Sequence, residues 1–343
     1  MIDAVVFNAS VDPVLDAMFK YGNRMHRTGD FDLGIAVYER LLEHAARSSP
    51  RWLAPTYLAL GYCLRESGRY ADAERQFVLG SAWAARRGDL LVGLRFTIAR
   101  GNLACLMGNL HEATLLLDDA LRDATTSGDV ELIVRAAHER GNVAIKRKEL
   151  ALRYFRSALD AADAWAGSGM RAARDARMRV LGDLGWALYC AGLREEARAV
   201  CLYVHLFAKE RQVHWAAAIN LMPLACARGH CTSFHQHRLA LTKAPLPARL
   251  KAAYLLEVGD GRTVFGEPEE ARAAYLALAR VAAKHGLADE ARRAFAALRG
   301  VADDCARRWP SRIDVPPDLA DFLERLRRLG EPSHWPLAAC RHP

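Results

Sequence analysis

One spacing constrains this chain more than any other property: a glycine, a second glycine seven residues on, and a small residue five beyond that. It occurs at Gly22, Gly29 and Gly34; Gly61, Gly68 and Ala73; Gly101, Gly108 and Ala113; Gly185, Gly192 and Ala197; and Gly259, Gly266 and Ala271. With 24 glycines in 343 residues, random placement would give roughly 0.4 such matches, so the spacing is a repeat. Four residues after each small residue stands a larger apolar or sulfur-bearing one, Tyr38, Phe77, Leu117, Cys201 and Tyr275, one helical turn along the same face. The second half of each unit therefore reads as a helix. The first glycine lies inside an apolar-periodic run, as in WLAPTYLALGYCL at 52 to 64, where a helix-interior glycine costs about 1 kcal/mol against Ala. Its presence implies close approach by a neighbouring helix. The second glycine, as in ESGRYADA at 66 to 73, supplies the positive φ that ends one helix and turns into the next.

This pattern resembles the tetratricopeptide repeat, a helix-turn-helix unit that stacks into a right-handed α-solenoid. The resemblance implies an all-α chain of about seven to eight long, forty-residue-type repeats over 12–308, after a short lead at 1–11. Two units depart from the pattern. The fourth, GNVAIKRKELALRYFRSAL at 141 to 159, lacks the turn glycine, and the ten residues from Gly141 to Ala151 predict a turn shortened by two. The sixth, about 214–250, has Met222 and Pro223 at the first-glycine position and Phe234 at the small one. Over 309–330, Leu319, Phe322, Leu323, Leu326 and Leu329 form one stripe, the pattern of a capping helix, and 331–343 reads as a flexible tail.

No enzyme signature competes with the repeat: GxSxG, HExxH and the phosphate-loop motif are all absent. GDGRTVFG at 259 to 266 contains two repeat glycines and follows a helical pattern. No catalytic residue, cofactor or metal is therefore expected. CARGHCTSFHQH brings Cys226, His230, Cys231, His235 and His237 close in sequence, but adjacent His230 and Cys231 suit one tetrahedral ion badly. Eight cysteines without a CxxC read as scattered reduced thiols, with Cys63, Cys105, Cys190 and Cys201 in or near the core. No window reads as a membrane span and MIDAVVFNAS lacks a basic leader region, so the expected address is cytoplasmic. The net charge of +8 comes mostly from arginines interleaved with Glu and Asp on helix faces, which argues against direct nucleic-acid binding.

In the resembled family, first helices line a concave groove and the residue after the first glycine points into it. Those residues are Asn23, Tyr62, Asn102, Asn142, Trp186 and Asp260, with Pro223 in the irregular unit. An Asn amide both donates and accepts, so it can hold a peptide backbone without reading side chains. Helical geometry adds Phe19, His26, Arg27, Leu58, Arg65, Arg95, Ile98, Arg135, His138, Lys146, Arg179 and Tyr189 to that face. A basic and aromatic wall suits an extended, acidic peptide. The resemblance thus implies a non-catalytic protein-interaction scaffold or adaptor with a protein or peptide partner. The alternatives are a peptide-responsive or transcription-linked sensor module and a structural oligomerisation spacer, and self-association is compatible with all three.

Overall fold

A computed structural model describes residues 2–166, 171–300 and 311–334, with side chains described over 12–165, 171–300 and 311–333. Its regular structure among these residues is helical throughout. The chain divides into two compact units, Met1–Val143 and Ala144–Pro343. The first holds α1 (Ile2–Thr28), α2 (Phe31–Ser48), α3 (Leu53–Glu66), α4 (Tyr70–Arg86), α5 (Leu90–Met107), α6 (Leu110–Ser127) and most of α7 (Val130–Lys146). The second holds α8 (Leu152–Ala166), α9 (Arg171–Cys190), α10 (Arg194–Phe207), α11 (Arg211–Ala227), α12 (Cys231–Thr242), α13 (Ala248–Val264), α14 (Pro268–His285), α15 (Ala288–Leu298) and α16 (Ala320–Arg328). Within each unit, successive helices up to α15 pack on one another, and alternate ones also meet, as α3 does α5 and α11 does α13. This is the contact pattern of an all-α solenoid. The lead at 1–11 is no separate segment, because the α1 backbone is helical from Ile2.

The repeat glycines explain the packing. A methyl group built on Gly22, Gly61, Gly101, Gly185 or Gly259 would lie 2.2 to 2.7 Å from Tyr38, Phe77, Leu117, Cys201 or Tyr275 respectively. Each first helix thus receives the large residue of its own second helix, sixteen positions later in every case (22 to 38, 61 to 77, 101 to 117). The small residues Ala73, Ala113 and Ala197 are completely buried beside these contacts. The turn glycines adopt positive φ as their positions require, for example +86° at Gly108. In α6, Ala113, Leu117, Ala120 and Ala124 are all buried, the i, i+4, i+7, i+11 stripe of a helix with one apolar face.

The irregular units differ from expectation. The turn after α7 is longer, not shorter: it runs over 147–151, where α5 and α6 are separated by Gly108 and Asn109 alone. Lys148 takes the left-handed conformation (φ +58°) in place of a glycine, and the chain uses three more residues before α8 can start. In the sixth unit Pro223 is inside α11 and buried, while Phe234 is accommodated by Gly261, whose built methyl would lie 2.1 Å from its ring. The segment GDGRTVFG is therefore helical packing, with 259–264 in α13.

The segment read as a cap, of which 311–330 is described, packs chiefly on α10. Leu319, Phe322, Leu323 and Leu326 are buried there. The amphipathic stripe was legible, but a stripe fits any apolar surface; the partner is fixed by contacts that no local pattern encodes, such as Arg327 with Glu196. The tail beyond His334 lies outside the described residues. α5 alone among the described helices is long and apolar enough to span a membrane, a window the sequence expectation passed over because it carries Arg95 and Arg100. It packs against α3, α4 and α6.

Candidate functional site

In the first unit, the first helices α3, α5 and α7 bring the expected site residues into one hydrogen-bonded row. Arg65 Nη1 donates to Asn102 Oδ1 at 2.7 Å. Asn102 Nδ2 donates to Glu139 Oε2, and Asn142 Nδ2 reaches the same oxygen at 3.3 Å. The Arg65 guanidinium also pairs with Glu66 and stacks 4.9 Å from the Tyr62 ring centroid. Beside this row, Arg95 grips Glu131 with two hydrogen bonds of 2.7 and 3.0 Å, and Arg135 lies 2.9 Å from the same carboxylate. Burial works to raise the Glu131 pKa, but its bonds to Arg95 and the charge of Arg135 hold it below the usual carboxylate range.

The basic wall expected from the arginines is thus corrected. Each of Arg65, Arg95 and Arg135 has a carboxylate from the same face beside it, so the surface is charge-mixed and internally paired. Glu131 and Glu139 were missed although their spacing places them there: Glu139 is three residues before Asn142, and Glu131 four before Arg135. His138 and Asn142 are half-buried and Lys146 is exposed. Asn23 stands apart from the row, because its Oδ1 accepts from Tyr38 OH at 2.9 Å. Arg27 is exposed at the end of α1. Ile98 belongs to the core instead of the face, Phe19 packs on Tyr38 and Trp52, and His26 packs on Phe31.

Asn102 has chemistry to spare. Its amide can accept two hydrogen bonds and donate two, and it uses one of each within the chain. One acceptor position and one N–H remain, the pair that matches the N–H and C=O of a peptide main chain.

Arg179 is held by Glu210 with bonds of 2.7 and 2.8 Å. One turn apart on α9, the rings of Trp186 and Tyr189 lie 5.2 Å centroid to centroid, tilted by 31°. Asp260 accepts from Tyr275 OH at 2.7 Å, the same register in which Tyr38 holds Asn23. The His and Cys cluster does not converge. Cys226 is buried, with its thiol pushed up to about 12 by burial, and Cys231 is exposed. His235 faces Glu267 at 3.3 Å, and His237 packs on His205. Among the described residues no group of three such side chains is placed to hold a metal ion. Cys63, Cys105 and Cys201 are buried as expected, whereas Cys190, the last residue of α9, is exposed.

The fold and this site define a class, a helical-repeat protein with a polar face on its first helices. No family model matches the sequence, and no curated protein sequence matches it. Among solved structures, the chain is similar to the Rap conjugation gene regulator of the plasmid pLS20, solved in complex with the Phr* peptide. The two share 16% identity with a TM-score of 0.60, over 77% of this chain and 74% of that one. At that identity the likeness is one of fold.

Proposed function

We propose that this protein is a non-catalytic, peptide-responsive adaptor that holds an extended segment of a protein or peptide partner along the first helices of its first unit. The observation that carries the reading is the row Arg65, Asn102, Glu139 and Asn142, with the spare donor and acceptor of Asn102. Repetition of an amide on successive first helices suits a ligand that itself repeats, and a main chain is such a ligand. The peptide complex of the structurally similar regulator supports the same reading. Because the arginines are paired, a preference for acidic peptides rests on ligand carboxylates exchanging with Glu66 or Glu131.

The test is a pull-down from lysate with wild type and an Asn102→Ala, Asn142→Ala variant, followed by titration of peptides from the captured partner. Losing a main-chain hydrogen bond costs about 0.5 to 1.5 kcal/mol, so the double variant should weaken binding roughly tenfold or more while its far-UV circular dichroism is unchanged. A folded variant that retains every partner at unchanged affinity sinks the reading.

A further inference from the structure

The C-terminal segment makes a contact that neither the repeat nor the peptide reading uses. Residues 311–313 of the second unit cross the turn between α9 and α10. Ile313 N–H donates to Ala191 C=O at 3.0 Å. A methyl built on Gly192 would lie 2.6 Å from the backbone of Ser311 and Arg312. Turn glycines of the other units, Gly108, Gly128, Gly229, Gly266 and Gly286, have nothing within 4 Å of that position. This turn is covered and those are open.

Further along, the segment is fastened to α8 and α10. Arg327 donates to Glu196 Oε1 through Nη2 at 2.6 Å and Nε at 3.0 Å, and the Glu196 side chain is only 4% exposed. Arg156 donates to the Asp318 carbonyl at 2.6 Å, and Arg325 meets Asp160 at 3.5 Å. Leu319, Phe322, Leu323 and Leu326 are buried beneath these pairs, and Gly330 lies against Ala199.

The turn so covered is continuous with the aromatic pair on α9. Gly192 N–H donates to Tyr189 C=O at 2.9 Å, and Leu193 N–H to Leu188 C=O at 2.9 Å. A backbone held at Ala191 and Gly192 therefore holds the helix end that carries Trp186 and Tyr189. We propose that residues 311–328 act as a strap that seats on α8 and α10 and fixes the end of α9, so that its release loosens the Trp186 and Tyr189 pair. This extends the peptide reading to regulation of the corresponding residues in the second unit, but its test uses no ligand and stands or falls separately.

The experiment compares full-length wild type with Arg327→Ala and Phe322→Asp, two independent ways of weakening the strap. Hydrogen exchange read by mass spectrometry should show amides of 311–328 exchanging roughly tenfold faster or more in at least one variant, with amides of 187–193 accelerating alongside. In 5-fluorotryptophan-labelled protein, the fluorine resonance of Trp186, assigned through Trp186→Phe, should shift or broaden in that variant. The resonances of Trp52 and Trp83 in the first unit should not. The proposal is overturned if the strap amides are freed while 187–193 and Trp186 are unmoved. It is equally overturned if both variants leave the strap protected, or if both lose their helical circular dichroism, since a strap must separate from the fold it fastens.

Discussion

Gly61→Ala is the sharpest test of the packing rule that builds this fold. A methyl at residue 61 would lie 2.2, 2.6 and 2.8 Å from three carbons of the Phe77 ring, where carbons in contact normally stand about 3.5 to 4.0 Å apart. One side must move by roughly 1.3 Å or more. Phe77 is completely buried and Tyr62 packs edge-on against it at 5.6 Å, so the ring has nowhere to retreat. Overpacking of this kind costs about 1 to 3 kcal/mol, and the buried ring puts the site in the upper half of that range. Replacing a helical glycine by Ala returns about 1 kcal/mol, leaving a net loss of about 1 to 2 kcal/mol. Gly93→Ala in α5 is the control, because nothing lies within 4 Å of its built methyl; it should gain up to about 1 kcal/mol. Urea denaturation followed by circular dichroism at 222 nm should therefore move the two midpoints in opposite directions. Phe77→Leu, which reproduces the Gly101 and Leu117 pairing, should recover part of the Gly61→Ala loss in a double-mutant cycle. If Gly61→Ala stabilises the protein as Gly93→Ala does, or if residues 61 and 77 show no coupling, the close approach does not determine the packing.

Two further predictions concern the second unit. His205 stacks on His214 at 4.4 Å and meets His237 edge-on at 5.6 Å, and burial, then the charges of His214 and His237, push its pKa down to about 4. A depressed histidine stabilises the fold fully above its unfolded value near 6.5. That stability drains as pH falls from 6.5 towards 4, by on the order of 2 kcal/mol after discounting for partial exposure; urea midpoints over this range should fall less steeply in His205→Asn, and an unchanged slope would refute the assignment. Gly192→Ala should cost more than Gly266→Ala, because both carry positive φ, +71° and +76°, but only Gly192 also meets the backbone of Ser311 and Arg312. Equal losses by thermal denaturation would mean that the segment does not bear on the turn.

The sequence made the helix pairs legible because their cause is local: a glycine and the residue sixteen positions later belong to one helix-turn-helix and pack on each other, as Gly61 and Phe77 do. The fourth turn misled for a physical reason. Lys148 can adopt the left-handed conformation that the pattern reserves for glycine, so the register read from small residues slipped. Helical spacing put Arg65, Asn102 and Asn142 on neighbouring first helices, where they meet in one row, but it also put Ile98 there, which is core, and it weighed the arginines without their partners. Arg95 meets Glu131 across 36 residues and Arg65 meets Asn102 across 37, distances at which only the repeat length, not the local pattern, brings side chains together. The strap was less legible still, since Arg327 and Glu196 are 131 residues apart and no periodicity links them.

That pairing changes what the face can select. An unpaired arginine attracts any carboxylate, whereas Arg95 is already clamped in a fork by Glu131, and an acidic ligand must displace that carboxylate without net gain in charge pairs. Under the peptide reading electrostatics then contributes little to affinity, and the remaining donor and acceptor of Asn102 decide it. The ion pairs act instead on geometry. Arg65 and Glu139 hold the Asn102 amide from both ends, fixing which edge it presents, so a main chain that docks there meets a group whose orientation is already set. Under the peptide reading, added salt should therefore weaken binding far less than it would on an open basic wall, and substitutions that free Asn102, such as Glu139→Ala, should weaken it although they make the face more positive. A basic wall demands the reverse sign for Glu139→Ala, and the sign of that one change in affinity separates a face that reads charge from one that reads backbone.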